Sequence, residues 1–311
     1  MKVFFSGGEN PYDHLALEEC LLEEYSGGDS LLLLYKNRAS VVVGSFQNTH
    51  REVLQTFLEQ KGIALARRIS GGGAVYHDGG NLCWSLIGPL AEASTLELKN
   101  HLAPLAQALN SMGIPAAANG RNDLTLFGKK ISGSAARILR DKLLFHGTLL
   151  YSADLSALRG ALCTEPWVAS AKGSPSVKSP VVNIRDAMGL SEDIDGFARE
   201  FAVALAGDAY EPFEPSPAVL AAAERLCAQK YQSREWIYGR NPPCEMALPV
   251  YARGKRLVLS LCLEHERVTS ASFDAPDFGG AEEALLGLFF DRAAVFEALG
   301  RRGIVLETEE E

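Results

Sequence analysis

A chain of 311 residues with 47% hydrophobic and 22% charged side chains is long enough to bury a large core, and its composition excludes the disordered and fibrous classes. Its net charge of −9 argues against a general nucleic-acid binder, which would carry a basic footprint. No apolar run reaches the roughly 18–20 residues that span a bilayer, and residues 1–8 hold no long apolar segment of the kind a secretory leader needs, so a soluble cytoplasmic protein without membrane or nucleic-acid partners is expected.

Asn10 before Pro11 predicts a helix start, an N-cap with proline at the first helical position, and Leu17, Leu21 and Tyr25 recur at helical spacing up to Gly27 and Gly28. Residues 31–35 and 40–44 are short apolar runs bounded by turn residues and read as buried strands. Thr49 with Glu52 reads as a capping box for a second helix that Gly62 closes. Strands are predicted at 63–67 and 81–87. Ser94 with Glu97 reads as a further capping box, ahead of an apolar stripe through Leu98, Leu102, Leu105 and Leu109 with a kink at Pro104. Further strands are predicted at 123–127, 130–135 and 142–151, the last two joined near Arg140 and Asp141. Residues 160–180, rich in serine, proline and small side chains, read as one long loop, either functional or disordered. Helices at 197–206 and 218–231, a linker around 233–243, strands at 256–263 and 268–273, helices after Gly280 and an acidic tail at 307–311 complete the chain. Strands mixed with helices but without regular βαβ alternation give an α+β fold.

The chemistry concentrates in two stretches. In the first, Arg67 and Arg68 enter a turn through Ser70, Gly71, Gly72 and Gly73. Glycines let backbone N–H groups approach a ligand closely, successive N–H groups in such a turn favour an anion, and guanidinium forks suit phosphate or carboxylate. The turn lies between two strands rather than opening a helix, so it is not a Walker-type loop. In the second, the period of two in an extended 130–135 puts Lys130, Ser132 and Ser134 on one face and Ile131, Gly133 and Ala135 on the other, leaving room beside the lysine. The six cysteines are scattered with no C-x-x-C pair, which suggests neither a zinc site nor a disulfide framework.

Arg68, Ser70 and Gly71 through Asp78, taken with Gly128, Lys129, Lys130, Ile131, Ser132, Gly133, Ser134 and Ala135 and with His146, Gly147 and Thr148, resemble the lipoate–protein ligases. The match also takes in Asn10 to Tyr12, Val41 to Gly44, Gln47, Asn48, and Ser176 to Ser179 through Asn183. The resemblance implies a biotin/lipoate protein ligase-like fold, similar to class II aminoacyl-tRNA synthetases: a mixed sheet with flanking helices, a catalytic domain at 1–241 and a small α/β accessory domain at 242–311. It implies ATP-dependent activation of lipoate as lipoyl-AMP, then transfer to a lysine of an apo-lipoyl domain of a 2-oxoacid dehydrogenase E2 subunit or of glycine cleavage H protein. Lys130 would be catalytic. Arg68, Gly73, Ala74, Val75, Tyr76, Asn122, Lys130 and Lys178 would bind the nucleotide, and Ser70, Gly72, Arg137, His146 and Thr148 the lipoate or octanoate. Asp123 would hold Mg2+, although an Asn-Asp pair such as Asn122 and Asp123 also makes ordinary turns. A monomer is expected.

Two positions depart from the commonest family pattern: Ser45 and Pro180 stand where arginine is frequent. The nearest rival is an octanoyl or lipoyl transferase of the same fold that works through a cysteine thioester without ATP, for which Cys83 or Cys163 would be the nucleophile. A non-catalytic acyl- or nucleotide-binding relative is the third reading. Biotin ligation is not favoured, since no arginine- and glycine-rich biotin loop is present.

Overall fold

The computed structural model describes residues 1–90, 98–119, 122–252, 255–275, 278, 280–302 and 304. The capping box at Ser94 and Glu97 and the acidic tail lie outside them.

Strand β1 (Lys2–Phe5) leads into helix α1 (Pro11–Glu24), whose Asn10 side chain caps the Tyr12 N–H as the sequence predicts. The two apolar runs are strands β2 (Leu31–Lys36) and β3 (Ser40–Val43). The residue that caps the next turn is Asn48, not Thr49: its side chain accepts from the His50 N–H and opens a single-turn helix α2 (Thr49–Glu52), and a separate helix α3 (Gln55–Lys61) ends at Gly62 in the left-handed region. Strands β4 (Ala64–Arg67), β5 (Val75–His77) and β6 (Asn81–Pro89) bracket the glycine turn. Helix α4 (Leu98–Ser111) then precedes four antiparallel-paired strands, β7 (Ala116–Ala118), β8 (Asp123–Leu126), β9 (Lys129–Leu139) and β10 (Lys142–Leu150). Helix α5 (Leu155–Ala161), strand β11 (Val168–Ala171), helices α6 (Ile184–Met188) and α7 (Ile194–Ala206), strand β12 (Glu211–Pro212), and helices α8 (Pro217–Leu226) and α9 (Arg234–Ile237) follow. The C-terminal region contributes strands β13 (Cys244–Ala252), β14 (Lys255–Glu264) and β15 (Arg267–Phe273) and helix α10 (Arg292–Gly300).

An eight-stranded mixed sheet, ordered β12-β1-β2-β6-β10-β9-β8-β7, forms the body. Its central strands are apolar on both sides because helices cover both faces. Leu32, Leu34, Trp84 and Phe145 pack under α4 and α7, whereas Leu31, Leu33, Ile87 and Leu144 pack under α1 and α8. The alternation along β2 is therefore between two cores rather than between core and water, which is why 31–35 reads as an unbroken apolar run. A three-stranded sheet, β4-β3-β5, presents the glycine turn beside this body. Within the described residues no helix is long and apolar enough to cross a membrane.

Residues 160–180 are not one uninterrupted loop. Strand β11 lies inside that stretch and pairs with β13, so it forms the edge of a four-stranded antiparallel sheet, β11-β13-β14-β15. This sheet is locked to the body by a buried polar cluster. Glu266, in the β14–β15 turn, meets His50 Nε2 at 2.5 Å and accepts from Asn241 Nδ2 at 2.7 Å. Asn241 in turn accepts from the Thr49 N–H at 3.0 Å and from Arg67 at 2.6 Å. Removing one partner from a buried hydrogen-bonded cluster leaves the others unsatisfied, which typically costs about 1–3 kcal/mol. Glu266→Ala is therefore expected to lower unfolding free energy by about that amount, read as a fall in the urea midpoint; an unchanged midpoint would mean that the cluster contributes nothing.

Candidate active site

The glycine turn owes its shape to Arg68. This side chain is buried, and its guanidinium donates to the carbonyls of Val42 (3.0 Å), Gly71 (2.6 Å) and Gly73 (2.8 Å) and to Ser70 Oγ (3.0 Å). Burial lowers its pKa to about 10, which leaves it fully charged at neutral pH. In a trans peptide the C=O and the following N–H point in opposite directions. Drawing the Gly73 carbonyl inward onto Arg68 thus turns the Ala74 N–H outward. Gly72 makes the reversal possible at φ 89°, a conformation that side chains other than glycine's rarely adopt. Arg67, equally buried, braces the chain just before the turn, donating to the carbonyls of Gly44, Gln47 and Ile237.

The outward Ala74 N–H is taken up by Ser176 Oγ at 2.9 Å, which also accepts from Gln47 Nε2 at 3.0 Å. Glu52 holds the Ser176 N–H at 3.1 Å. The segment 174–179 consequently lies over the turn, with a hydroxyl oxygen where the two donors would otherwise meet an anionic oxygen.

Two cavities flank this segment. One, of about 690 Å³, is lined by Leu15, Tyr35, Val42, Arg68, Gly72, His77, Asn122, Asp123 and His146; the other, of about 760 Å³, by Arg51, Tyr76, Lys129, Leu158, Arg159, Leu162 and Lys178. They share a wall made by Ala74, Val75, Lys130, Gly133, Thr148, Ser176 and Val177. Lys130 Nζ sits in that wall, paired with Asp123 Oδ1 at 2.8 Å.

The strand carrying Lys130 departs from simple alternation. Its pairing with β8 runs Asp123 to Gly133 and Leu124 to Ser132, then Thr125 to Lys130, so Ile131 is the extra residue of a bulge. Ile131 and Ser132 are both buried, and Lys130 swings over Gly133 rather than standing in a row with Ser132 and Ser134. A Cβ on Gly133 would lie 3.0 Å from Lys130 Nζ.

At the inner end of the first cavity a buried chain links Ser70 Oγ to His146 Nε2 (2.6 Å) and His146 Nδ1 to Glu18 (3.0 Å), which also accepts from Tyr35 at 3.0 Å and from Ser85. Burial opposes ionisation of Glu18, but His146 and these hydrogen bonds outweigh it and its pKa falls below the ordinary glutamate value. His77, also buried and bonded to Asn37, is pushed down to about 3, first by burial and then by Arg68, and stays neutral.

Lys130, Asn122, Asp123, Gly72, Gly73, Ala74, Val75, His146 and Thr148 therefore converge, with Tyr76 and Lys178 in the second cavity. Ser70 lies behind the wall, fully buried against His146. Arg137 is not brought to the site: it follows Ala135 on the same face of β9, one repeat farther along, is exposed, and lines neither cavity. Neither cysteine of the thioester reading is suitably placed. Burial and Glu18 push the Cys83 thiol well up, and Cys163 hydrogen-bonds to the Arg159 carbonyl and lines neither cavity. Glu18, Ser176 and Gln47 stand in motif segments, but only their contacts reveal what they do.

Residues 10–206 match the lipoyl protein ligase A/B catalytic domain. Lipoate–protein ligase 1 of Staphylococcus aureus is 34% identical over 296 residues, covering 93% of this chain and 90% of that relative. The chain belongs to the lipoyl protein ligase family. Among solved structures, lipoate–protein ligase A bound with ATP superposes on this ligase-family fold with a TM-score of 0.63 at 25% identity, over 76% of this chain and 98% of that one. The Thermoplasma acidophilum bipartite lipoate protein ligase, solved in a study with its E2 lipoyl domain, gives 0.63 at 25% identity, over 76% and 95%.

Because the tight contacts of a Cβ at Gly133 are with the flexible end of Lys130, Asp123 Oδ1 lying at an ordinary 3.8 Å, an added methyl in this ligase-family chain should displace the amine without disturbing the sheet. Gly133→Ala is expected to keep the wild-type melting temperature while catalytic rate falls by up to about 10²-fold, the scale of a 1 Å misplacement. Thermal unfolding and turnover measured together check this; full activity would show that the amine's position is not set by Gly133.

Proposed function

We propose that the protein is an ATP-dependent lipoate ligase, AMP-forming, that activates lipoate or octanoate and passes the acyl group to a lysine of an acceptor lipoyl domain. The observation that carries this reading is Lys130 in the wall between the two cavities, where an acyl carboxylate from one side and a phosphate from the other would meet. The first cavity, with Leu15, Tyr35 and Val42, takes the apolar acyl chain, and His146, Thr148 and Gly72 line its path. The second, with Arg51, Lys129, Arg159 and Lys178, suits the phosphates of ATP, and Tyr76 and Leu158 the base.

In the first step a carboxylate oxygen attacks the α-phosphorus, the bond to the β-phosphate oxygen breaks, and pyrophosphate leaves. Lys130 offsets the repulsion between two anions; the Ala74 N–H, released from Ser176, donates to an oxygen of the developing phosphate. Arg68 acts from beneath the turn, keeping that N–H aimed outward. In the second step the acceptor amine attacks the acyl carbonyl, AMP departs with the bridging oxygen, and Lys130 stabilises the tetrahedral oxyanion.

Asp123 fits a magnesium ion through one oxygen. Its Oδ1 faces Lys130, its Oδ2 meets Asn119 Nδ2 at 3.5 Å, and a hard cation shared with substrate phosphates needs few protein ligands. No cluster of three His, Cys, Asp or Glu occurs among the described residues, and such sharing requires none. The ion would spread negative charge on the phosphates. We infer further a cytoplasmic monomer that acts on E2 subunits or H protein, with residues 242–311 as an accessory domain.

Lipoate-dependent pyrophosphate release with ATP and magnesium is expected from the wild type, and Lys130→Ala should lower it by on the order of 10²–10³-fold, the effect of losing one preorganised charge stabiliser. Acyl transfer without ATP that Cys83→Ala or Cys163→Ala abolishes would overturn the ligase reading in favour of a thioester transferase.

A further inference from the structure

Large apolar side chains normally reach the surface singly, so several at the rim of one site ask for a partner. Among the described residues the three most exposed large hydrophobics are Phe127 at 68%, Val177 at 62% and Phe46 at 60%; the next, Leu286, is at 51%. Each lies on or beside a segment that lines the site. Val177 lines both cavities. The Phe46 carbonyl accepts from the Ser174 N–H at 3.2 Å, and its ring faces Gly71 of the glycine turn. Phe127 forms the β8–β9 turn with Gly128, immediately before Lys129 and Lys130.

Phe127 is also held against its own preference. Its φ is 51° and that of Gly128 is 76°, the pattern of a two-residue turn that favours asparagine or aspartate before glycine. A bulky aromatic side chain in the left-handed region is an outlier, and here no burial repays it. Charge follows the same outline. In a protein of net charge −9, segments 44–51, 124–140 and 166–185 contain no aspartate or glutamate, and they expose Lys129, Lys172 and Lys178.

We infer that Phe46, Phe127 and Val177 form an apolar rim on which the acyl-accepting domain docks, with exposed Lys172, which lines neither cavity, and the carboxylate-free segments around it steering a partner of acidic surface. This rests on the proposed ligase reading, since the second step needs a protein amine delivered to Lys130. Exposed aromatic residues are the usual anchors of such contacts, and like-signed charges around them raise encounter with an oppositely charged partner.

The test pairs Phe127→Asn, which suits the left-handed turn, with Phe46→Ser in one full-length variant. Three quantities are compared with wild type: melting temperature, lipoate-dependent ATP–pyrophosphate exchange, and acylation of a purified apo E2 lipoyl domain. The expected result is an unchanged melting temperature and exchange, with KM for the domain raised about tenfold or more, as loss of an aromatic anchor gives. An unchanged KM, or exchange that falls in step with acylation, would overturn the docking role. Titrating the domain onto both proteins without ATP or lipoate keeps the two readings apart: a wild type without exchange would sink the ligase reading, while weaker binding to the variant would still support the rim. A wild-type dimer in sedimentation that the variant disperses would assign the rim to a second copy and overturn the proposal.

Discussion

A buried guanidinium must place its donors, and in this chain the placement of Arg68 decides how the site is built. Its hydrogen bonds pull the carbonyls of Gly71 and Gly73 towards the core, and the fixed geometry of the peptide plane then presents the Ala74 N–H to the cavities. Beneath it, Ser70, His146 and Glu18 continue the same network into the helix α1 face of the main sheet. The glycine turn is thus the outer surface of a buried polar network rather than a free loop. A glycine turn without the arginine would be free to choose other orientations.

Lys130 depends on a different constraint. The bulge at Ile131 lets two consecutive residues face the core and throws the preceding lysine across Gly133, where Asp123 holds it. The pair gives the amine a defined position. Ser176 completes the arrangement from the opposite side: its hydroxyl accepts from the Ala74 N–H and from Gln47, which ties the segment above the turn to the turn itself.

Much of this was legible in the sequence because residue type alone carried it. The three glycines after two arginines, the lysine among small residues and the asparagine-proline helix start each point to one local structure. What depended on pairing between distant segments was not legible. The bulge follows from the register of β9 against β8, which alternation alone does not encode, and it moved Lys130 off the face it was expected to share with Ser132. Residues 168–171 look like loop because their partner strand lies some seventy residues later. The contact of His50 with Glu266 spans the chain in the same way. Arg137 was assigned to the acyl group by resemblance alone, yet its place on the strand carries it past the cavities.

If a carboxylate is joined to the α-phosphate of ATP at Lys130, the bridging oxygen of the acyl adenylate originates in the acid. Lipoate labelled with 18O in both carboxyl oxygens, turned over with unlabelled ATP and an apo-lipoyl domain, tests this directly by mass spectrometry of the nucleotide product. The account predicts AMP carrying one 18O atom for each acyl group transferred. Unlabelled AMP, or label found instead in inorganic phosphate beside ADP, would contradict it.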